Sequence, residues 1–172
     1  MYYKMNNILL DTSTLVLLAK LDLLGPLAEE VRVMIPTAVK VEATRKRELW
    51  DAKLIYRLAK EKKIHVVREE QKPLAETVGR DFALGKGEAS AVILAKTRGL
   101  LLGIDDKQGI RACKVLGIQF TTTLAVIMRF HEKGILNADQ TIAKIEKLRT
   151  YGWYQAELLE KVLKEIKGGH KK

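Results

Sequence analysis

Short apolar runs of strand length alternate with longer segments of helical periodicity through most of this chain, and that alternation narrows the fold more than any other feature. Residues 7–11, 31–35, 64–67, 100–104 and 118–120 read as strands. Helical spacing fills 14–22, the segment opening at Pro36 and Thr37, 49–62, 74–82, 89–96 and 107–116, with residues 121–123 capping the helix that follows. Apolar strands separated by helices favour a parallel sheet covered on both faces, and right-handed crossovers restrict its topology. The expectation is an α/β fold in three layers, a central parallel sheet flanked by helices. After Lys133 the pattern is helical only, over 138–148 and 155–166, the latter with Leu158, Leu159, Val162 and Ile166 on one stripe. At 172 residues the chain suits one well-packed domain, so we read residues 1–172 as a single domain with 137–167 as a C-terminal helical extension. Residues 168–172 read as a frayed tail.

Carboxylates stand where the apolar runs end or the helices begin. Asp11 closes the first run, and the adjacent Asp105 and Asp106 follow the run 100–104. Glu42 lies on the helix opened by Pro36, on a face shared with Val39, Ala43 and Lys46; the alternative for it is a plain helical ion pair with Arg45 or Lys46, worth about 0.2–0.5 kcal/mol. Glu88 follows the turn 85–87, in the first turn of its helix and on the inward side with Ala91, Val92 and Ala95. An open parallel sheet binds ligands at the carboxyl ends of its strands. Carboxylates gathered there repel one another, and a hard divalent cation with oxygen ligands is the usual remedy, so magnesium or manganese is expected. Of the two adjacent acids, Asp105 leaves the strand toward the site, whereas Asp106 suits the helix N-cap.

Composition excludes several other chemistries. Cys113 is the single cysteine, which rules out an intramolecular disulfide or a cysteine zinc site and suits a reducing cytosol. His65, His131 and His170 are far apart in sequence, without the spacing of a zinc helix or support for a serine triad. No apolar stretch reaches the roughly 18 residues of a membrane span, and the chain start lacks an extended apolar region with a cleavage site; a soluble cytoplasmic protein is expected. The net charge is +10, from 31 Lys and Arg against 21 Asp and Glu, so an acidic pocket would sit in a basic surface suited to a polyanion. Lys40, Arg45, Lys46, Arg47, Lys86 and Lys107 lie near the acidic motifs and are the candidate phosphate contacts.

Four segments carry a family resemblance: ILLDTSTL around Asp11, IPTAVKVEA around Glu42, GKGEASAVILA around Glu88, and LLLGIDDKQGIRACKVLGI around Asp105 and Asp106. In order and spacing the chain resembles a PIN domain, the nuclease fold of VapC-type toxins, over about residues 6–135. The resemblance implies that Asp11, Glu42, Glu88 and one of Asp105 or Asp106 bind metal and serve catalysis, with Ser13 and Thr123 as supporting polar residues. Gly103 and Ile104 depart from the family, where Thr or Ser is frequent, and Glu88 stands where others carry Asp. The implied activity is a magnesium- or manganese-dependent endoribonuclease acting on RNA, with a small antitoxin protein and a second copy of the chain, as a homodimer, among the implied partners. The alternatives on the same scaffold are an RNA-processing housekeeping nuclease and a catalytically silent RNA-binding protein. A receiver-type domain is disfavoured, because Asp11 has no acidic neighbour and the last strand leads into threonines rather than lysine.

Overall fold

In the computed structural model, which describes residues 6–169, β1 (Asn7–Leu10), β2 (Arg32–Pro36), β3 (Ile64–Val67), β4 (Leu101–Gly103) and β5 (Phe120–Thr121) form one sheet. All pairings are parallel and the strand order is β3-β2-β1-β4-β5. Helices flank the sheet: α1 (Thr12–Lys20), α2 (Leu24–Glu30), α3 (Thr37–Ala43), α4 (Trp50–Lys60), α5 (Lys72–Phe82), α6 (Lys86–Arg98) and α7 (Lys107–Leu116). Ile8, Leu9 and Leu10 are completely buried. A central parallel strand is covered on both faces, which is why this segment is continuously apolar rather than alternating.

Two helices differ from the sequence expectation for identifiable reasons. Gly25 and Pro26 read as a stop, yet they lie in the first turn of α2, where proline's missing N–H leaves no partner unsatisfied. The turn expected over 85–87 is already helical beyond Gly85, the N-cap of α6, so Glu88 occupies the third helical position. Residues Ala89 to Ala95 of α6 are all buried, and the abundance of alanine lets this helix pass close to its neighbours.

Two compact units divide the chain, Met1–Thr121 with the sheet and Thr122–Lys172. The second holds α8 (Thr123–Glu132), α9 (Ala138–Tyr151) and α10 (Ala156–Gly169). Within it α9 packs on both α8 and α10. Leu159, Leu163 and Ile166 of α10 are buried whereas Leu158 is exposed, so the apolar face is turned from the expected stripe and is covered within the chain. The tail expected from residue 168 is helical through Gly169; residues 170–172, with His170, lie outside the described residues.

Candidate functional site

The strand order reverses between β1 and β4: the chain leaves β1 toward β2 and β3 on one side and later returns to build β4 and β5 on the other. Such a switch point opens a crevice at the carboxyl edge of the sheet. Asp11 lies there, its backbone N–H donating to the Gly103 carbonyl at 3.0 Å. Its side chain caps α1, accepting from the Thr14 N–H at 2.8 Å, while the Ser13 hydroxyl donates to Oδ2 at 2.8 Å and to Oδ1 at 3.0 Å. Thr14 Oγ1 donates to Asp105 Oδ2 at 2.6 Å, coupling the acids that follow β1 and β4. Gly103 makes room for this link: a Cβ there would stand 2.6 Å from Leu10 Cδ2 and 3.3 Å from Thr14 Cγ2. Asp11 is completely buried. Burial pushes its carboxyl up to about 7; the bonds from Thr14 and Ser13 oppose the shift and the Asp105 charge adds to it.

Glu42 and Glu88 form a second pair, carried on helices. Glu42 Oε1 accepts from the Gly87 N–H at 2.9 Å and Oε2 from Thr12 Oγ1 at 2.7 Å, so this side chain from α3 joins α1 to the first turn of α6. It turns to these groups and not to Arg45 or Lys46. Gly87 permits the approach, since a Cβ would collide with the Glu42 carboxylate and lie 2.7 Å from Thr12 Oγ1. Glu88 Oε2 accepts from the Gly85 N–H at 3.0 Å. Burial raises its carboxyl above the usual range against that bond, and the charges of Asp106 and Glu42 push the same way. Asp106 caps α7, accepting from the Gly109 N–H at 2.8 Å.

The fold therefore gathers Asp11 with Asp105 and Glu88 with Glu42 and Asp106 into mutual electrostatic range. Oxygen-only donors, with the charged forms of Asp11 and Glu88 disfavoured by burial and by neighbouring carboxylates, match a hard divalent cation in chemistry and in charge. Among the described residues no three such side chains converge on one point, each carboxylate resting instead on hydroxyl or backbone N–H donors. Cys113 is buried, its thiol pushed up to about 11 by burial and by the Asp11 charge. His65 lies on β3, and His131 contacts the Leu136 carbonyl and Thr141 in the second unit.

The remaining expected residues divide. Ser13 bonds Asp11 directly. Thr123 is the buried first residue of α8, in the second unit, and the cap is supplied by Thr122, whose hydroxyl accepts from the Ala125 N–H at 3.3 Å. Arg45 and Lys86 line, with Glu42, a groove of about 850 Å³ bordered by α3, α5 and α6, which also holds Lys72 and Arg80. Lys40 is half-buried on α3; Lys46 and Lys107 are exposed. Thr12, Thr14 and Gly87 were not singled out from the sequence. Their signal was present in the Thr-Ser-Thr run after Asp11 and the glycine before Glu88.

The sequence pattern of the PIN domain matches residues 7–168, nearly the whole chain. The chain belongs to the PIN domain family. In fold this PIN domain is similar to PAE2754 from Pyrobaculum aerophilum, with a TM-score of 0.53 and 18% identity over 73% of this chain and 97% of that one. At that identity the likeness bears on the fold alone. No curated protein matches the chain. The five-stranded parallel order 3-2-1-4-5 is consistent with the family, whose members are typically nucleases, and Asp11, Glu42, Glu88, Asp105 and Asp106 all lie on the first unit of this PIN domain. Among the described residues no helix is long and apolar enough to cross a membrane.

Proposed function

We propose that this PIN domain is a divalent-metal-dependent endoribonuclease that hydrolyses RNA phosphodiester bonds. The observation that carries the reading is the meeting of Asp11 and Asp105 at the sheet switch point, with Thr12 beside Asp11 bonded to Glu42, and with burial and neighbouring acids disfavouring the charged forms of Asp11 and Glu88. Asp11, Glu42, Glu88 and Asp105 would hold magnesium or manganese, with Asp106 contributing charge from its cap position. When bound, such an ion lowers the pKa of its water and offsets negative charge on the scissile phosphate. Ser13, Thr14 and Thr12 keep the carboxylates oriented, a task that costs little reorganisation because the donors are fixed by α1. Arg45, Lys86 and the other groove cations would take the phosphates of the strand. No histidine base is required when metal-bound water supplies the nucleophile.

Cleavage of RNA by the purified chain should vanish in EDTA and return with manganese or magnesium. Full activity in EDTA would falsify the metal mechanism. The toxin role rests on the family alone and is decided by growth: expression of the active chain without a small antitoxin partner should arrest cells. Normal growth with active protein assigns it to RNA processing instead. Self-association is tested separately by light scattering, since the α10 face is already covered within the chain.

A further inference from the structure

The exposed side of α4 carries aromatic rings among cations. Ala52, Ile55 and Leu58 face inward and are buried, whereas Trp50, Lys53, Tyr56, Arg57 and Lys60 are exposed. At 3.6 residues per turn these five fall within one arc of about 120°, with Trp50 at one border, Tyr56 at the other and the three cations between them. Both residues are about half open to solvent, Trp50 at 50% and Tyr56 at 53%. Just before the helix, Arg45, Lys46 and Arg47 are exposed as well. None of these six cations has an ion-pair partner among the described residues. The acids of the same stretch are Glu48 and the buried Asp51.

Topology places the start of this face at the edge of the sheet where the acids lie. α4 delivers the chain to the start of β3, which runs parallel to β1, so the first turn of α4 lies toward the carboxyl edge where the acids gather. Trp50 opens that turn, and the chain between it and Glu42 is short and folded back on itself through bonds from the Arg45 N–H to the Glu42 carbonyl and from the Leu49 N–H to the Lys46 carbonyl. Arg45 also lines the groove that contains Glu42.

We infer that the outer face of α4, with residues 45–47, is a platform for single-stranded RNA on which Trp50 and Tyr56 stack bases while the intervening cations bind phosphates. Resting on the nuclease reading above, it identifies the surface that guides the strand toward the acids. Paired bases keep their faces covered, so exposed rings at this spacing select an unpaired strand; stacking tolerates any base and free cations track the backbone. An acidic protein partner could cover the same rings and cations, and it is the occupant indicated if single-strand binding does not depend on Trp50.

The test is binding in EDTA, which separates it from cleavage. The probe is a labelled oligoadenylate of about 12 nucleotides, within a common single-strand footprint, compared with the same strand annealed to its complement. Trp50→Ala should weaken single-strand binding about tenfold and duplex binding less than about twofold, with Trp50→Phe close to wild type. Replacing Lys53 and Arg57 together by Ala should lower the slope of log K against log salt by about 1.4. Trp50 and Trp153 are the two tryptophans, so Trp153→Phe leaves Trp50 as the reporter, and its fluorescence should be quenched by the single strand. That reporter decides the matter if Trp50→Ala does not fold. Unchanged single-strand affinity in Trp50→Ala, equal losses for strand and duplex, or an unquenched Trp50 overturns the platform. Metal-dependent cleavage with a silent Trp50 overturns this inference alone; Trp50-dependent binding with no cleavage overturns the nuclease reading and leaves the platform standing.

Discussion

The two acidic pairs of the site are built by different means. Asp11 and Asp105 follow adjacent central strands, are joined through the Thr14 hydroxyl, and include a completely buried carboxyl. Glu42 and Glu88 ride on helices, rest on the backbone N–H groups of Gly87 and Gly85, and remain partly open to solvent. Strand ends fix the first pair through the sheet, with Gly103 leaving room for the side chains of Leu10 and Thr14. The second pair depends on how closely α3 approaches α6, where Gly87 leaves room for the Glu42 carboxylate and the Thr12 hydroxyl. Burial gives the aspartate side the larger electrostatic strain and the glutamate side the larger steric sensitivity.

Asp11→Asn should break the contrast most completely. It removes a charge at nearly constant volume while leaving an oxygen to cap α1, so cleavage is expected to disappear with the fold intact. The same variant tests the electrostatics. Asp11 titrates near 7 when folded against 3.8 as the reference, so between these pH values the folded state binds more protons than the unfolded one. Stability of the metal-free protein contributed by this group is therefore full below the lower value and falls as pH rises toward about 7, by about 4 kcal/mol at most. In EDTA at pH 8, Asp11→Asn should melt above wild type, and the two should converge in acid. Identical melting curves across the range would remove the buried-charge account.

The steric claim is sharpened by Gly87→Ala. Its methyl group meets the Glu42 carboxylate, and we expect a loss of about 1–3 kcal/mol together with weakened metal-dependent cleavage. Gly168→Ala in α10, where an added Cβ meets nothing within 4 Å, should be neutral or stabilising by up to about 1 kcal/mol. Equal melting shifts for the two substitutions would show that the α3–α6 approach is not as tight as described.

Smaller effects separate neighbouring residues. Asp106→Ala should lower stability by about 0.5–2 kcal/mol through the lost α7 cap while retaining most cleavage, whereas Asp105→Asn should do the reverse. If the two phenotypes are exchanged, so are the assignments. Thr12→Val removes one donor from Glu42, which keeps its Gly87 bond, and should cost about 0.5–1.5 kcal/mol by thermal melting with a modest loss of activity. A loss of activity as deep as that of Asp11→Asn would place Thr12 in contact with the substrate or metal.

Much of this arrangement could be read from the residues. Continuous apolar runs at 8–10 and 100–104 mark strands covered on both faces, and the acid after each run falls at the carboxyl edge whatever the strand order. Asp106 as a cap was equally legible, because an N-cap is a local interaction whose partner lies three residues away. The second helix after β1 was not, since a Gly-Pro pair stops one helix or opens another, and only the packing of Leu24 and Leu27 into the core selects between them. The orientation of α10 was hidden for a related reason: Leu158 and Leu159 both suit an apolar stripe, and contact with α9 decides which is covered.

By itself, then, the sequence determined the alternation of strands and helices, the parallel α/β class and the acids at the ends of the strands, because periodicity and capping act over a few residues. Tertiary structure alone decided that Glu42 binds Gly87 and Thr12 instead of Arg45 or Lys46, that Thr14 links Asp11 to Asp105, and that Trp50 and Tyr56 flank a row of cations left without ion-pair partners among the described residues. Hydrogen bonds between residues 30, 45 or 91 positions apart have no local signature. They exist because the strand order brings distant segments to one edge, and desolvation there sets which donors each carboxylate must find.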